Sequence, residues 1–145
     1  MNRPEFDAIR DVPDNKIVGD IRFSRPGALA PAVAAQNIPI QNSQGIDLRL
    51  NITYNAEVGS KTFNVHVPGT GPICRLDVDG TNHGDAGRSH KHALKGERCP
   101  DRNLPDDVTG RPDLAGKGVR EVFEEFCQMA QITHEGVFAA PDEGP

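Results

Sequence analysis

The feature that most constrains the fold is a run at residues 46–54 whose side chains alternate strictly between apolar and polar. Its apolar members are Ile46, Leu48, Leu50, Ile52 and Tyr54. Side chains of a strand point alternately to its two faces, so this run predicts a strand with one face in the core and one polar face.

Three further segments continue the pattern and predict an antiparallel meander. A turn at 55–60 leads into alternation at 61–67, which predicts a hairpin, and a Pro/Gly turn at 68–72 leads into a strand at 73–80. The segment SHKHAL at 89–94 predicts a short last strand, and residues 16–25 predict a less regular first one.

One amphipathic helix is predicted near the end of the chain. Its apolar stripe recurs at helical spacing and consists of Val119, Val122, Phe123, Phe126, Cys127 and Ala130. The predicted helix runs from about Asp113, its expected N-cap, to Ile132. It must cover the apolar face of the sheet, so we expect an α+β fold: an antiparallel meander of four or five strands with one C-terminal helix packed across one face.

The 145 residues fit a single domain, which we place at 1–138. Residues 26–45 contain Pro26, Pro31 and Pro39, and they predict a long loop or an arm that docks on a partner. The acidic residues 139–145 predict a disordered tail.

Hydropathy and cysteine usage predict a cytoplasmic protein. No segment approaches the ~20 apolar residues of a membrane helix, no secretory leader is recognisable, and no membrane partner is expected. Cys74, Cys99 and Cys127 form no Cys-x-x-Cys pair, which indicates reduced structural thiols.

Apolar residues at an uncovered sheet edge are compatible with a homodimer.

A dense cluster of histidines and charged residues at 74–92 could carry chemistry. Three of the five histidines lie here, His83, His90 and His92. His90 and His92 are two residues apart on a predicted strand, so they share a face with Cα atoms about 6.5 Å apart, and the loop that bears His83 can fold over that face.

Two chemistries use such a set, and the spacing does not separate them. In metal-independent RNA cleavage, one imidazole takes a proton from a ribose 2′-hydroxyl, another protonates the leaving 5′-oxygen, and a cation stabilises the phosphorane. The candidate catalytic residues are His83, His90, His92, Arg75, Asp77 and Lys91. In the alternative, His83, His90 and His92 bind zinc or another divalent ion, with Asp77 or Asp85 assisting. A solvated polar face without function has the same pattern, and we expect no cofactor.

A basic patch follows the histidines. Residues 88–102 hold five basic residues against two acidic ones, although the chain has a net charge of -5 that argues against binding duplex nucleic acid over the whole surface. The expected RNA-binding residues are Arg88, Lys95, Arg98 and Arg102. Few aromatic residues are available for stacking, so affinity would depend on phosphate contacts.

The order of these features resembles the small prokaryotic TumE-type toxins and related uncharacterised phage and bacterial families. The resemblance is carried by Arg75-Leu76-Asp77, His83, His90-Lys91-His92 and the helix at 119–126. It implies a toxin that acts on RNA and is neutralised by a co-encoded antitoxin. Leu76 stands where these toxins usually carry an aromatic residue, and residues 26–45 have no counterpart in them.

The competing hypothesis is a non-catalytic protein. A small acidic α+β domain also fits a phage-encoded, anti-CRISPR-like inhibitor of a host defence protein, which would bind its partner through the sheet and the arm at 26–45. The histidine cluster would then be structural.

Overall fold

The protein's structure, a computed structural model, describes residues 1–25, 31–80, 90–92 and 109–144, with the backbone alone described at 90–92 and 109. The helices are α1 (Arg3–Arg10) and α2 (Val119–Met129), and a 3-10 turn spans Pro112–Leu114. The strands are β1 (Asn15–Val18), β2 (Ala32–Ile40), β3 (Leu48–Asn55), β4 (Ser60–Val67), β5 (Gly71–Val78), β6 (His90–His92), β7 (Thr109–Gly110) and β8 (Ile132–Glu135).

The predicted α+β fold is confirmed. The four long strands β2 to β5 form an antiparallel sheet, in which each strand pairs with the next along the chain, and the short strands β6 and β7 extend it beyond β5. Short turns join β3 to β4 and β4 to β5, and their glycines Gly59 and Gly69 adopt positive φ angles of 76°.

The alternating apolar residues of β3, β4 and β5 build one continuous face. Ile52 pairs with Phe63, and Phe63 pairs with Leu76, all three at 0 % exposure. Directly paired residues lie on the same face of a sheet, so each such pairing adds a row to the core.

Helix α2 covers this face, as predicted. The rings of Phe126 and Phe63 lie 5.4 Å apart between centroids, and Phe123 stacks on Phe138 at 4.2 Å. The buried residues of α2 are Val119, Val122, Phe123, Phe126 and Cys127, all members of the stripe read from the sequence. Burial raises the pKa of the Cys127 thiol to about 12, which suits the structural role expected of it.

The prediction of a loop at 26–45 is wrong for residues 32–40, which form β2 at the edge of the sheet. Two local features explain why the sequence pattern did not predict this strand. Pro39 is tolerated because the strand is at an edge, and the register shifts between Ala35 and Ile38. At the shift Asn37 has a φ of 53°, and its N–H donates to Oδ1 of Asn51 at 2.7 Å.

The predicted strand at 16–25 is also corrected. Strand β1 runs parallel to β8, with Asn15 opposite Ile132 and Val18 opposite Glu135. The predicted segment meets the edge of the meander at two isolated antiparallel bridges, Lys16 with Gln41 and Ser24 with Ala34. Its neighbour Gly19 has a φ of 115°, and the carbonyl of Gly19 is 2.8 Å from Nε2 of His134. A second, two-stranded parallel sheet therefore joins residues 15–18 to residues 132–135.

The start of α2 and the tail differ from prediction. Helix α2 begins at Val119 rather than near Asp113, whose carboxylate pairs with Arg111 at 3.0 Å instead. Asp142 accepts a hydrogen bond from the Val119 N–H at 2.9 Å, so a residue of the predicted disordered tail caps the helix. The neighbouring Glu143 also pairs with Arg120 of α2, at 2.8 Å. Neither helix of the described residues has the length and apolar character needed to cross a membrane.

Candidate functional site

The polar residues that alternate with the core residues line up in rows on the opposite side of the sheet. The first row is Thr53, Thr62, Asp77 and His90, the second is Asn51, Asn64, Arg75 and His92, and the third is Arg49 and His66. We call these ten positions the polar face. Rows of this kind follow from the register, because directly paired residues share a face.

Asp77 is the buried carboxylate of the polar face, at 7 % exposure. The Thr62 hydroxyl donates to its Oδ1 at 2.9 Å, and Nε of Arg75 lies 3.3 Å from Oδ1 and 3.2 Å from Oδ2. A buried carboxylate is costly unless it is paired and hydrogen-bonded, so these neighbours from β4 and β5 stabilise Asp77 in its place.

The β5–β6 register brings the two strand histidines to this carboxylate and this guanidinium. His90 pairs with Asp77, and His92 pairs with Arg75. Neighbouring strands lie about 4.8 Å apart, so four of the predicted catalytic residues occupy adjacent positions. Lys91 pairs with the core residue Leu76 and takes the register position between the two histidines, which separates it from this group.

The remaining predicted site residues lie outside the described residues: His83, Asp85, Arg88, Lys95, Arg98 and Arg102. Among the side chains that the structure describes, no group of three His, Cys, Asp or Glu is placed to hold a metal ion. The zinc alternative depended on His83 and on the side chains of His90 and His92, so it remains untested.

Sequence reasoning missed the residues that β3 and β4 add to the polar face. Thr62 and Asn64 belong to the same alternation that predicted the strand, but only the register shows that they adjoin Asp77 and Arg75. His66 lies on the same face, opposite Arg49 on β3 and Pro72 on β5. Burial and the nearby charge of Arg49 lower the pKa of His66 below its usual value, so its imidazole is neutral at pH 7.

A buried ion pair on the other side of the sheet anchors the end of β5. Nζ of Lys61, a residue only 5 % exposed, lies 3.1 Å from Oδ2 of Asp79 and 2.9 Å from the carbonyl of Gly59. Asp79 also accepts from the Gly116 N–H at 3.0 Å. The strand that carries Arg75 and Asp77 is thereby tied to the turn that precedes α2.

Two cavities lined by described residues lie away from the polar face. One of about 340 Å³ lies between α2 and β8, beside Phe123 and His134, and another of about 350 Å³ lies between the β1 segment and β2.

Comparisons with protein-family models, with curated proteins and with solved structures find no match to this chain. The resemblance to TumE-type toxins therefore stays a prediction. The function is argued below from the polar face, because a fold by itself does not imply a function.

Proposed function

We propose that this protein is a toxin-like ribonuclease that cleaves RNA on its polar face without a metal ion. The observation that supports this most is the β5–β6 register, which sets His90 opposite Asp77 and His92 opposite Arg75. Two imidazoles, a carboxylate and a guanidinium on adjacent strands supply the acid, the base and the cation that the reaction requires.

The proposal gives the two histidines the two proton-transfer roles, with His90 as the general acid and His92 as the general base. Both positions adjoin the Asp77–Arg75 ion pair through the β5–β6 register.

In the proposed reaction His92 takes the proton of a ribose 2′-hydroxyl as the 2′-oxygen attacks the adjacent phosphorus. The bond from phosphorus to the 5′-oxygen breaks, and His90 gives its proton to that oxygen. The products are a 2′,3′-cyclic phosphate and a 5′-hydroxyl. Arg75 has five N–H donors, so it can bond to Asp77 and still stabilise the charge that develops on the phosphorane oxygens.

The deciding experiment measures RNA cleavage in the presence of a chelator. His90→Ala and His92→Ala should each lower the rate by about 10²-fold or more, the effect of losing one acid or base. His134→Gln is the matched control, because His134 lies on β8 and contacts Gly19 rather than the polar face. Thermal midpoints of all three variants report whether the fold is kept.

The resemblance to TumE-type toxins adds a proposed partner, a co-encoded antitoxin that would cover the polar face. Loss of cleavage on mixing the two purified proteins would support this partner. The competing inhibitor hypothesis loses part of its arm, because residues 32–40 form β2. If both histidine variants keep the full biological effect and the wild type cleaves no RNA, the inhibitor replaces the ribonuclease.

A further inference from the structure

One cation of the polar face, Arg49 on β3, has no part in the proposed reaction. Its Nε donates to Oδ1 of Asp47 at 2.9 Å, and within the described part of the chain its two terminal nitrogens make no hydrogen bond. Neither nitrogen is shielded from solvent, and the side chain as a whole is 34 % exposed. A guanidinium has five N–H donors, so four of them are left for a ligand.

The guanidinium of Arg49 lies close to the ring of His66. The two residues are directly paired in the β3–β4 register, and the charge of Arg49 is one cause of the lowered pKa of His66. A cation disfavours protonation of an imidazole only at short range, so this charge acts on the polar face itself. The bond to Asp47 restricts the Arg49 side chain, which reduces the freedom lost when a ligand binds.

The charges of the polar face are unevenly distributed over its rows. Its carboxylate, Asp77, lies in the first row, whereas its guanidiniums lie in the second row at Arg75 and in the third row at Arg49. Between the two arginines lie Asn64 and His66, an amide and an imidazole that is neutral at pH 7. An anionic strand that extends from Arg75 away from Asp77 therefore meets its next cation of the polar face at Arg49.

Strand geometry gives the separation of the two arginines. They lie two strands apart across the sheet and one row apart along it. With about 4.8 Å between strands and about 6.7 Å between alternate residues, their Cα atoms are about 12 Å apart. One nucleotide of a stacked strand advances about 3.4 Å, so a phosphate at Arg49 is about three nucleotides from a phosphate at Arg75.

We infer that Arg49 is a second phosphate-binding site of the polar face, which holds the RNA backbone about three nucleotides from the scissile phosphate. The inference rests on the proposed function, because that function places the reacting phosphate at Arg75. A guanidinium binds phosphate through charge-assisted, often bidentate hydrogen bonds, and such contacts carry no base information. The site thereby selects substrates by the length of the strand rather than by its sequence.

The test measures binding of 2′-O-methyl oligonucleotides to the full wild-type chain, because these probes keep every phosphate but have no 2′-hydroxyl to attack. By fluorescence anisotropy over lengths of about two to eight nucleotides, we expect a step of about tenfold in affinity once a strand spans about four nucleotides. Arg49→Gln should remove that step. It should also lower the slope of log Kd against log salt concentration by about 0.7, the effect of one phosphate contact in a single strand.

Arg120→Gln is the matched control. Arg120 also pairs with a carboxylate, Glu143 at 2.8 Å, but it lies on α2, which packs on the opposite side of the sheet. This variant should keep both the step and the slope. Arg49→Lys keeps the charge without the planar fork, so it should keep the slope and lose part of the step.

An unchanged step in Arg49→Gln, an equal loss in Arg120→Gln, or no binding of any oligonucleotide by the wild type would overturn the inference. Cleavage of unmodified RNA together with an unchanged step in Arg49→Gln would contradict this inference and leave the ribonuclease standing. A step that depends on Arg49, in a protein whose wild type does not cleave RNA, would contradict the ribonuclease alone.

Discussion

Thr62 on β4 donates its hydroxyl hydrogen to Oδ1 of Asp77 on β5, across a distance of 2.9 Å. The two residues are directly paired in the register, and Asp77 is paired in turn with His90. A hydroxyl, a carboxylate and a histidine thus occupy successive positions across three strands. The hydroxyl fixes the carboxylate from the side opposite to His90.

Thr62→Val should weaken both the fold and the proposed activity. Val keeps the shape but removes the hydrogen bond, and bonds to charged groups are worth about 1.5–3 kcal/mol. We expect the free energy of unfolding to fall by about that amount and RNA cleavage to fall about tenfold. Urea unfolding and single-turnover cleavage measure the two effects.

The control for this prediction lies on the adjoining strand. Thr53 pairs with Thr62 but is one strand further from Asp77, so Thr53→Val should change either quantity little. Thr62→Ser keeps the hydroxyl, so it should retain most of the free energy of unfolding and most of the rate of RNA cleavage. Equal behaviour of Thr62→Val and Thr53→Val would show that the hydroxyl does not support Asp77.

Gly136→Ala should destabilise the parallel β1–β8 pair. Gly136 has a φ of 144°, and a Cβ there would overlap the carbonyl of Gly19. We expect the free energy of unfolding to fall by more than about 1 kcal/mol and the thermal midpoint to fall by several degrees. Gly144→Ala, where a Cβ meets no atom within 4 Å, should leave the midpoint unchanged.

Asp142→Ala should weaken the first turn of α2. The variant removes the acceptor for the Val119 N–H, and loss of a capping acceptor costs about 1 kcal/mol. Asp142→Asn keeps an acceptor oxygen and should lose less. Amide hydrogen exchange at Val119 measures the local effect, and unchanged exchange in Asp142→Ala would contradict a capping role.

His66 should make stability depend on pH. Because its pKa in the folded protein lies below the ordinary 6.5, the unfolded chain takes up the proton first as the pH falls. The free energy of unfolding is therefore unaffected by His66 titration above pH 7, and it falls as the pH drops below 6.5 towards the pKa of His66 in the folded protein. Relative to that of His66→Gln, the free energy of unfolding of the wild type should fall between pH 7 and pH 5. A constant difference would show that the pKa of His66 is not lowered.

The sequence determined those parts of the fold whose pattern is local. Alternation at Leu48, Leu50 and Ile52 predicted β3, and the stripe through Val122 and Phe126 predicted α2, because burial of one face imposes a period of two on strands and 3.6 on helices. The short strand with His90 and His92 followed from the same alternation. It also predicted that the two histidines share one side of the sheet.

Only the tertiary structure decided which residues meet across long stretches of chain. Strand β2 contains Pro39 and a register shift, and the paired residues of β1 and β8 are 117 positions apart, so neither pairing has a local signature. The Asp142 cap on Val119 likewise joins residues 23 positions apart. The register between strands is likewise not set by local sequence, because it depends on the packing of whole faces of the sheet. It alone placed Thr62 beside Asp77, and Asn64 beside Arg75.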